Sequence, residues 1–302
     1  MKKNKENYTV KKADAFKIIK KEKNKSIDLI ITSPPYNIGK KYENKQSMEN
    51  YLKPYEDLAK DIYDKLKITG SLCWQVGNYI NKGEIIPLDI PFYNIFSNAG
   101  FKLRNRIIWH FEHGLHASKR FSGRYETILW FTKSDNYIFN LDAPGVRIPS
   151  KYPGKRHYTG KKKGKPSGNP LGKNPSDFYK ITKNDWDKQI WDFPNVKANH
   201  PEKTQHPCQF PIELVQRCVL ALTNKQAHIL DPFMGVGSTI IGSIMHNRKA
   251  TGYEMDQIFI NLTKKRIKEF KNGSIKIRKL GKPIHVPKKT DKVAQLPFEW
   301  LK

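Results

Sequence analysis

Residues 27–36 of the chain read Ile-Asp-Leu-Ile-Ile-Thr-Ser-Pro-Pro-Tyr. The residues before the serine predict a buried β-strand, and the two prolines end it because neither has an N–H group to donate. The rigid turn holds the Ser33 hydroxyl, the Pro34 carbonyl and the Tyr36 ring at the strand's carboxyl end, where open α/β sheets bind ligands. This set fits a flat ring with an exocyclic amine, which can stack on Tyr36 and donate hydrogen bonds to the two oxygens.

A second motif lies far along the chain, where residues 229–239 read Ile-Leu-Asp-Pro-Phe-Met-Gly-Val-Gly-Ser-Thr. This is a short apolar strand, a glycine turn and the start of a helix over residues 240–245. Gly235 and Gly237 allow positive φ and close backbone approach to a ligand, and a helix N-terminus favours a carboxylate. A phosphate-binding P-loop is disfavoured because no Lys-Ser/Thr pair follows the glycines. Alone, Pro-Pro-Tyr is also typical of a surface turn or a polyproline ligand.

Together the two motifs resemble those of the DNA amino-methyltransferases, whose catalytic motif reads (Asp/Asn/Ser)-Pro-Pro-(Tyr/Phe). The catalytic turn comes first and the glycine loop last, with a basic segment between them, and this order is similar to that of the permuted beta class. The resemblance covers residues 13–270. It implies a Rossmann-like α/β fold that uses S-adenosylmethionine, with a mostly parallel sheet, an antiparallel edge hairpin and a loop-rich basic insertion.

The resemblance also implies roles for individual residues. Ser33, Pro34, Pro35 and Tyr36 form the catalytic motif. The residues expected to bind the cofactor are Asp14, His206, Asp231, Phe233, Gly235, Gly237, Ser238, Thr239 and Glu254. Of these, Glu254 is placed to accept the ribose hydroxyls, Asp14 to lie near the adenine amine, and His206 to lie in a segment that packs on the methionine part. Taken singly, each acid could equally be a solvated carboxylate and the histidine a core residue.

The identity of the target base depends on one position. In the family, serine at the first position of the motif is commoner in enzymes that make N4-methylcytosine, and aspartate in those that make N6-methyladenine. Ser33 therefore predicts methyl transfer to cytosine N4 in DNA, by base flipping and direct in-line transfer. N6-adenine methylation is the alternative, because the Tyr36-Asn37 continuation also occurs in adenine enzymes. A protein glutamine methyltransferase, which normally has Asn in place of Ser33 and the reverse motif order, and a non-enzymatic DNA-binding module are more distant alternatives.

The charge of the chain indicates a polyanionic partner. The net charge is +28, from 56 basic and 28 acidic residues, which predicts a polyanion as partner; the resemblance implies that this polyanion is double-stranded DNA. A lysine-heavy proteome could produce part of this bias, so the distribution is more informative. Between residues 147 and 183 lie eleven Lys/Arg and one acid, and 12 of the 32 residues from 144 to 175 are Gly or Pro.

That basic, loop-rich stretch is either a disordered linker or a nucleic-acid contact surface. The aromatic and histidine residues interleaved in it favour a contact surface; they are Tyr152, His157, Tyr158, Phe178, Tyr179, Trp186 and Trp191. The residues predicted to bind DNA are Lys161, Lys162, Lys163 and Lys165. The chain therefore divides into a catalytic half (1–140), a target-recognition insertion (141–200), a cofactor-binding half (201–271) and a basic tail (272–302).

Further features limit the class of protein. No apolar run approaches the roughly 18 to 20 residues that span a bilayer, and the Lys-rich start lacks the apolar segment of a secretory signal. The three cysteines contain no C-x-x-C pair, so neither a metal site nor a disulfide framework is indicated. We expect a cytoplasmic enzyme without membrane contact. The sequence leaves open whether a restriction endonuclease accompanies it and whether it forms a homodimer.

Hydrophobic periodicity predicts the remaining elements. The expected helices span residues 48–66, which Gly70 is expected to stop, and residues 91–99, 210–222 and 257–270. The expected strands span residues 71–76, 101–111, 127–132 and 250–254, with the second and third forming an antiparallel pair at one edge of the sheet.

Overall fold

The computed structural model describes residues 6–40, 43–111, 116–150, 152, 154–177, 194–197, 200–280, 282 and 290. Nine strands lie in this part of the chain: β1 (Tyr8–Lys12), β2 (Ile27–Thr32), β3 (Leu66–Val76), β4 (Asn78–Asn81), β5 (Glu84–Pro87), β6 (Lys102–His110), β7 (Tyr125–Thr132), β8 (His228–Asp231) and β9 (Lys249–Glu254). The α-helices are α1 (Ala15–Ile18), α2 (Met48–Lys65), α3 (Asp89–Asn98), α4 (Ile212–Leu222), α5 (Ser238–Ile244) and α6 (Gln257–Lys271). None of these helices is long and apolar enough to cross a membrane.

Seven strands form one sheet in the order β1-β9-β8-β2-β3-β7-β6. The pairs from β1 to β3 are parallel, whereas β7 runs antiparallel to both of its neighbours. The sheet therefore confirms the predicted α/β class, with mostly parallel strands and an antiparallel pair at one edge. Its centre is β2, all six residues of which are buried, as expected for a strand covered on both faces.

The two sequence motifs meet because β2 and β8 are neighbours. Leu29 pairs with Ile229 and Ile30 with Leu230 in parallel register. Both strands then end at the same edge of the sheet, one in the Pro-Pro turn (residues 33–36) and the other in the glycine loop (residues 232–237). The arrangement of open α/β sheets places ligands at this edge.

Helices cover both faces of the sheet. On one face, α2 and α3 bury an aromatic cluster around Trp74, whose ring centroid lies 4.9 Å from that of Phe96 and 5.3 Å from that of Phe92. Phe233 of the glycine loop packs against the edge of the same cluster, 6.1 Å from Trp74. On the other face, α4 packs its apolar residues against Leu29 and the opposite side of β2. The aromatic core therefore supports the edge at which the motifs meet.

Several local predictions differ from the structure. The strand β1, the short helix α1 and the hairpin β4–β5 were not predicted. Gly70 does not end a helix, because α2 ends at Lys65 and Gly70 lies inside β3. A Cβ atom at Gly70 would lie 2.8 Å from Leu66 Cγ and 3.1 Å from the Asp28 carbonyl oxygen. The register between β2 and β3 shifts at this point, so the glycine serves close packing at a bulge.

The predicted insertion is described only in part. Its described residues form turns and two isolated bridges, between Ile148 and Lys173 and between Arg156 and Pro166. The residues Phe178, Tyr179, Trp186 and Trp191, and most of the tail predicted from 272 to 302, lie outside the described residues. The boundaries of the four predicted segments remain predictions.

The aromatic cluster gives a test of the core. We expect Phe92→Ala to lower the free energy of unfolding by about 3–5 kcal/mol, because it leaves a cavity beside Trp74. Ile90→Ala is the matched control, since Ile90 lies on the same helix but is 57% exposed, and we expect a change within about 0.5 kcal/mol. Urea unfolding of both variants measures the difference, and equal destabilisation would contradict this account of the core.

Candidate active site

A cleft opens at the sheet edge where β2 and β8 end beside each other. It encloses about 180 Å³ and is lined by residues of both motifs. The predicted site residues that line it are Asp14, Ser33, Pro34, Pro35, Tyr36, His206, Phe233, Gly235, Ser238 and Glu254. The fold thus brings together side chains that are up to 240 positions apart in the printed sequence.

Three predicted residues, Asp231, Gly237 and Thr239, lie behind the wall of the cleft. Asp231 is fully buried, and its Oδ1 accepts hydrogen bonds from Thr32 Oγ1 at 2.7 Å and from the Phe233 N–H at 3.1 Å. Burial raises the pKa of Asp231 to about 6. Gly237 has φ of +76°, and a Cβ atom there would lie 2.5 Å from Thr263 Cγ2. In this structure these residues set the shape of the glycine loop, and their contact with a cofactor remains a prediction.

The Tyr36 hydroxyl lies at the centre of a hydrogen-bond network. It donates to Glu126 Oε2 at 3.4 Å and accepts a hydrogen bond from Gln75 Nε2 at 2.8 Å. Its oxygen lies 3.0 Å from Ser33 Oγ. A phenol has one O–H to donate and an oxygen that can accept. When Glu126 is ionised it accepts the Tyr36 hydrogen, so Ser33 then donates to Tyr36 and the Ser33 oxygen is left to accept hydrogen bonds.

The Glu126 carboxyl is enclosed by protein, and its lost solvation raises its pKa to about 7. This pKa is lowered in part by hydrogen bonds from Tyr36 and Gln75 and by the charge of Lys197. Burial also raises the pKa of Tyr36 well above its usual range, with the charge of Glu126 adding to the effect. At pH 7 the phenol is therefore protonated and the carboxyl is close to half ionised.

Gln75 and Glu126 were not predicted as site residues. Gln75 has a sequence signal, because it is a polar residue in the otherwise apolar stretch of β3 and such residues are rarely buried without a function. Glu126 precedes the predicted strand 127–132, and nothing local distinguishes it from a surface acid. Its position follows from the antiparallel pairing of β7 with β3, where Gln75 lies opposite Ile128.

The Pro-Pro turn is fixed from both sides. Tyr51 Oη donates to the Pro35 carbonyl at 2.6 Å. The next residue, Asn37, is buried with φ of +59°, and its side chain exchanges two hydrogen bonds with the backbone of Gln46, at 2.8 and 2.7 Å. These contacts hold the turn rigid independently of any ligand.

The glycine loop is held against Glu254 at the end of β9. Gly235, with φ of +53°, donates its N–H to Glu254 Oε2 at 2.9 Å, and the N–H groups of Met255 and Asp256 donate to Oε1 at 2.8 Å each. A carboxylate has about four acceptor sites, so these three bonds leave capacity for a further donor from the cleft. Burial raises the pKa of Glu254 from its usual value.

His206 closes the side of the cleft next to the loop. A Cβ atom at Gly235 would lie 3.2 Å from His206 Nε2. The Cys208 N–H donates to His206 Nδ1 at 3.2 Å, and burial lowers the pKa of the ring to about 4. The imidazole is therefore neutral at pH 7. Asp14 reaches the cleft from the start of α1, where its side chain also caps the helix by accepting the Phe16 N–H at 3.0 Å.

The lysines predicted to contact DNA lie away from the lining of this cleft. Lys161, Lys162, Lys163 and Lys165 are exposed in a turn closed by hydrogen bonds from Gly164 N–H to the His157 carbonyl at 2.9 Å and from His157 N–H to the Lys165 carbonyl at 3.0 Å. Their contact with DNA remains a prediction. Within the described ranges, no three His, Cys, Asp or Glu side chains cluster closely enough to hold a metal ion.

Comparison with known proteins identifies the family of the chain. A model of the N6/N4 DNA methylase family matches residues 27–265. The chain belongs to this family. Over 238 residues it is 45% identical to the type II methyltransferase M.BglII of Bacillus subtilis. The matched region spans 78% of this chain and 62% of that relative's length. It is 30% identical to the DNA adenine methyltransferase YhdJ of Escherichia coli (strain K12), over 86% of the chain and 82% of the relative.

Among solved structures, the fold is similar to that of the PvuII DNA methyltransferase (cytosine-N4-specific). The TM-score is 0.64 at 19% identity, over 85% of this chain and 87% of that one. These matches confirm the predicted family and the predicted methyltransferase fold. S-adenosylmethionine is the cofactor of the family, as predicted.

The cleft has the groups that this cofactor requires. The Ser238 hydroxyl lines it and is buried, yet it has no hydrogen-bond partner within the described part of the chain, so it is available to a polar group of a ligand. Glu254 has acceptor capacity for hydroxyl donors, and Phe233 provides an apolar wall. The residues present therefore fit S-adenosylmethionine.

Gly235 offers a test of the cofactor site. We expect Gly235→Asp to lower the affinity for S-adenosylmethionine by about 100-fold or more, or about 2.8 kcal/mol, because the new side chain meets His206 and its charge lies beside Glu254. Gly273→Asp is the control, since Gly273 has φ of +75° and open space where a Cβ atom would lie. Calorimetric titration of both folded variants checks this, and unchanged affinity of the Gly235 variant would remove the loop from the cofactor site.

Proposed function

We propose that the chain is a DNA methyltransferase that transfers a methyl group from S-adenosylmethionine to the exocyclic N4 of cytosine. The observation that carries the proposal is the Tyr36 network. It leaves the Ser33 oxygen as a hydrogen-bond acceptor at the mouth of a cleft built from both family motifs. An acceptor is what an exocyclic amine requires, because the amine presents two N–H donors.

The chain's part in the chemistry is to orient the amine. When bound, S-adenosylmethionine supplies a methyl carbon on a sulfonium, so that the N–C bond forms as the S–C bond breaks. An aromatic amine is a weak nucleophile because its lone pair is delocalised into the ring. Hydrogen bonds from its two N–H groups to Ser33 Oγ and the Pro34 carbonyl would turn the lone pair out of the ring plane. Alignment of this kind can contribute roughly 7–11 kcal/mol to lowering the barrier.

The same network provides a route for the proton that the amine loses. Ser33 Oγ would take the amine proton as its own hydrogen passes to Tyr36 Oη, and the Tyr36 hydrogen would pass to Glu126. When Glu126 is ionised, each step follows a hydrogen bond in the direction that its acceptance of the Tyr36 hydrogen requires. With its pKa raised to about 7, Glu126 is a stronger base than an exposed carboxylate and can hold the proton at neutral pH.

For methyl transfer, a single base of the DNA must enter this cleft. The amine of a paired base is not accessible in a duplex, so the base has to be flipped out at a cost of a few kcal/mol. The Tyr36 ring lines the cleft, and stacking on it would recover part of that cost. The net charge of +28 and the exposed lysines at 161–163 and 165 support a polyanionic substrate.

The assignment to cytosine rests on Ser33. Serine at this position is commoner among the N4-cytosine members that the chain resembles. The relative named as an adenine methyltransferase keeps N6-adenine as the alternative. A companion restriction endonuclease, a homodimer and a cytoplasmic location remain predictions. Several of the matched relatives are named as type II methyltransferases.

Ser33→Ala tests the assignment of the acceptor. Loss of one positioned hydrogen bond should lower kcat by about 10²-fold, with little change in the affinities for DNA and S-adenosylmethionine, which other surfaces provide. Ser26→Ala, at an exposed hydroxyl, is the control and should keep full activity. Mass spectrometry of nucleosides from DNA methylated by the unaltered chain should find N4-methylcytosine. N6-methyladenine would support the alternative base, and an active Ser33 variant would contradict the orienting role.

A pH profile tests the role of Glu126. Ionised Glu126 is the form that accepts a proton, and its fraction grows as pH rises through about 7. We therefore expect kcat to rise with pH up to about 7 and then to level off. Glu126→Gln should lower kcat by about 10²-fold and abolish this rise.

Tyr36→Phe should have the same effect on the pH profile, because it keeps the ring but removes the hydroxyl that links Ser33 to Glu126. Glu84→Gln, at an exposed acid of β5, is the control and should keep the profile of the unaltered chain. A rise through pH 7 that persists in Glu126→Gln would show that another group accepts the proton.

A further inference from the structure

The loop between β6 and β7 lies at the same sheet edge as the cleft. His110 at the end of β6 pairs with Tyr125 at the start of β7, and Thr127 of β7 pairs with Val76 at the carboxyl end of β3. The strand β3 is parallel to β2, which leads into the Pro-Pro turn. Glu126, the second residue after the loop, contacts Tyr36 itself. The loop is therefore anchored within two residues of the catalytic network.

The tip of this loop presents one aromatic ring among cations. Phe121 is 99% exposed, the highest exposure of any large hydrophobic residue in the described part of the chain. Residues 116–124 include Lys119, Arg120 and Arg124 and no acidic residue. A phenylalanine this exposed presents apolar area that a partner can cover.

Two hydrogen bonds close the turn that carries Phe121. The Ala117 N–H donates to Ser122 Oγ at 3.1 Å, which draws the two sides of the tip together. Below it, the Phe111 N–H donates to the Arg124 carbonyl at 2.9 Å and continues the pairing of the two strands. The ring is thus held outward from the sheet edge by a short, tied turn.

The exposed Phe121 ring and the cations beside it favour one class of partner. The cores of protein–protein interfaces are depleted in charge, and the cations of this loop would repel a second copy of a chain with net charge +28. DNA has the opposite properties, since its phosphates attract Lys119 and Arg120 while its base stack can receive a ring. Proteins that deform DNA insert apolar side chains such as phenylalanine between base steps in this way.

We propose that Phe121 inserts into the DNA base stack beside the target nucleotide and occupies the space that the flipped base leaves, with Lys119 and Arg120 on the flanking phosphates. The proposal rests on the proposed DNA substrate and does not depend on which base is methylated. Insertion of the ring would offset the free-energy cost of unstacking that base flipping requires. Phe121 would therefore raise the rate of methylation most where the target base is stacked and paired.

The test compares two duplexes that contain the methylation site found by sequencing DNA methylated by the unaltered chain. In one duplex the target base is paired, and in the other it faces an abasic site, which lowers the cost of flipping. We expect Phe121→Ala to lower kcat/KM on the paired duplex by about 10-fold or more and on the abasic duplex by less than about 3-fold. Phe121→Trp should keep activity on both duplexes, because it retains a large ring.

Ile68→Ala is the control, since Ile68 is 54% exposed and lies near the start of β3, at the opposite edge of the sheet. Its kcat/KM should be unchanged on both duplexes. Unchanged cofactor affinity of Phe121→Ala verifies that it is folded. Full activity of that variant on the paired duplex, or an equal loss on both duplexes, would overturn the insertion. If the unaltered chain methylated neither duplex nor any other DNA, the proposed function itself would fail.

Discussion

The Thr32 hydroxyl donates to the Asp231 carboxylate at 2.7 Å, and this buried bond joins the ends of two strands whose residues are 199 positions apart. It lies where the Pro-Pro turn and the glycine loop begin. The parallel pairing of β2 with β8 brings the motifs to one edge, and the Thr32–Asp231 bond fixes their relative position at the last residue of each strand. The cleft lies between the two segments that this contact holds together.

The interior of the cleft has a different electrostatic character from the protein surface. The chain carries a net charge of +28, yet His206 is neutral and Glu126 is close to half ionised at pH 7, because burial shifts the pKa of each toward its uncharged form. Among the described residues, the cleft is lined by the acids Asp14 and Glu254 and by no lysine or arginine, which suits a cationic methyl donor. The surface charge serves a separate purpose, since it attracts a polyanion from a distance.

Much of the fold could be predicted from the sequence, because its decisive signals are local. The apolar run 27–32 ended by two prolines predicts both a buried strand and its end, and the glycine loop before α5 predicts a second strand end beside a ligand. Periodicity identified the major helices within a few residues. Gly70 was misinterpreted because a glycine required for packing at a bulge has the same sequence signal as one that ends a helix.

The parts of the site that could not be predicted depend on contacts between distant elements. Glu126 reaches Tyr36 only because β7 pairs antiparallel with β3, and a single sequence contains no signal for that pairing. The inward placement of Asp231 and Gly237 is likewise set by Thr32 and Thr263, one on β2 and the other on α6. Residue type predicted the members of the site, whereas tertiary structure decides which of them line the cleft.

A crystal structure of the chain with S-adenosylhomocysteine tests the central claim most directly, because this product of methyl transfer is stable and has every group of the methyl donor except the methyl. The account predicts that its ribose hydroxyls donate to Glu254, that its carboxylate lies near Ser238, and that its sulfur faces Ser33 with room between them for an amine nitrogen at a reacting distance of roughly 3–3.5 Å. A ligand bound in another cavity, or bound in this cleft with its sulfur turned away from the Pro-Pro turn, would contradict the account.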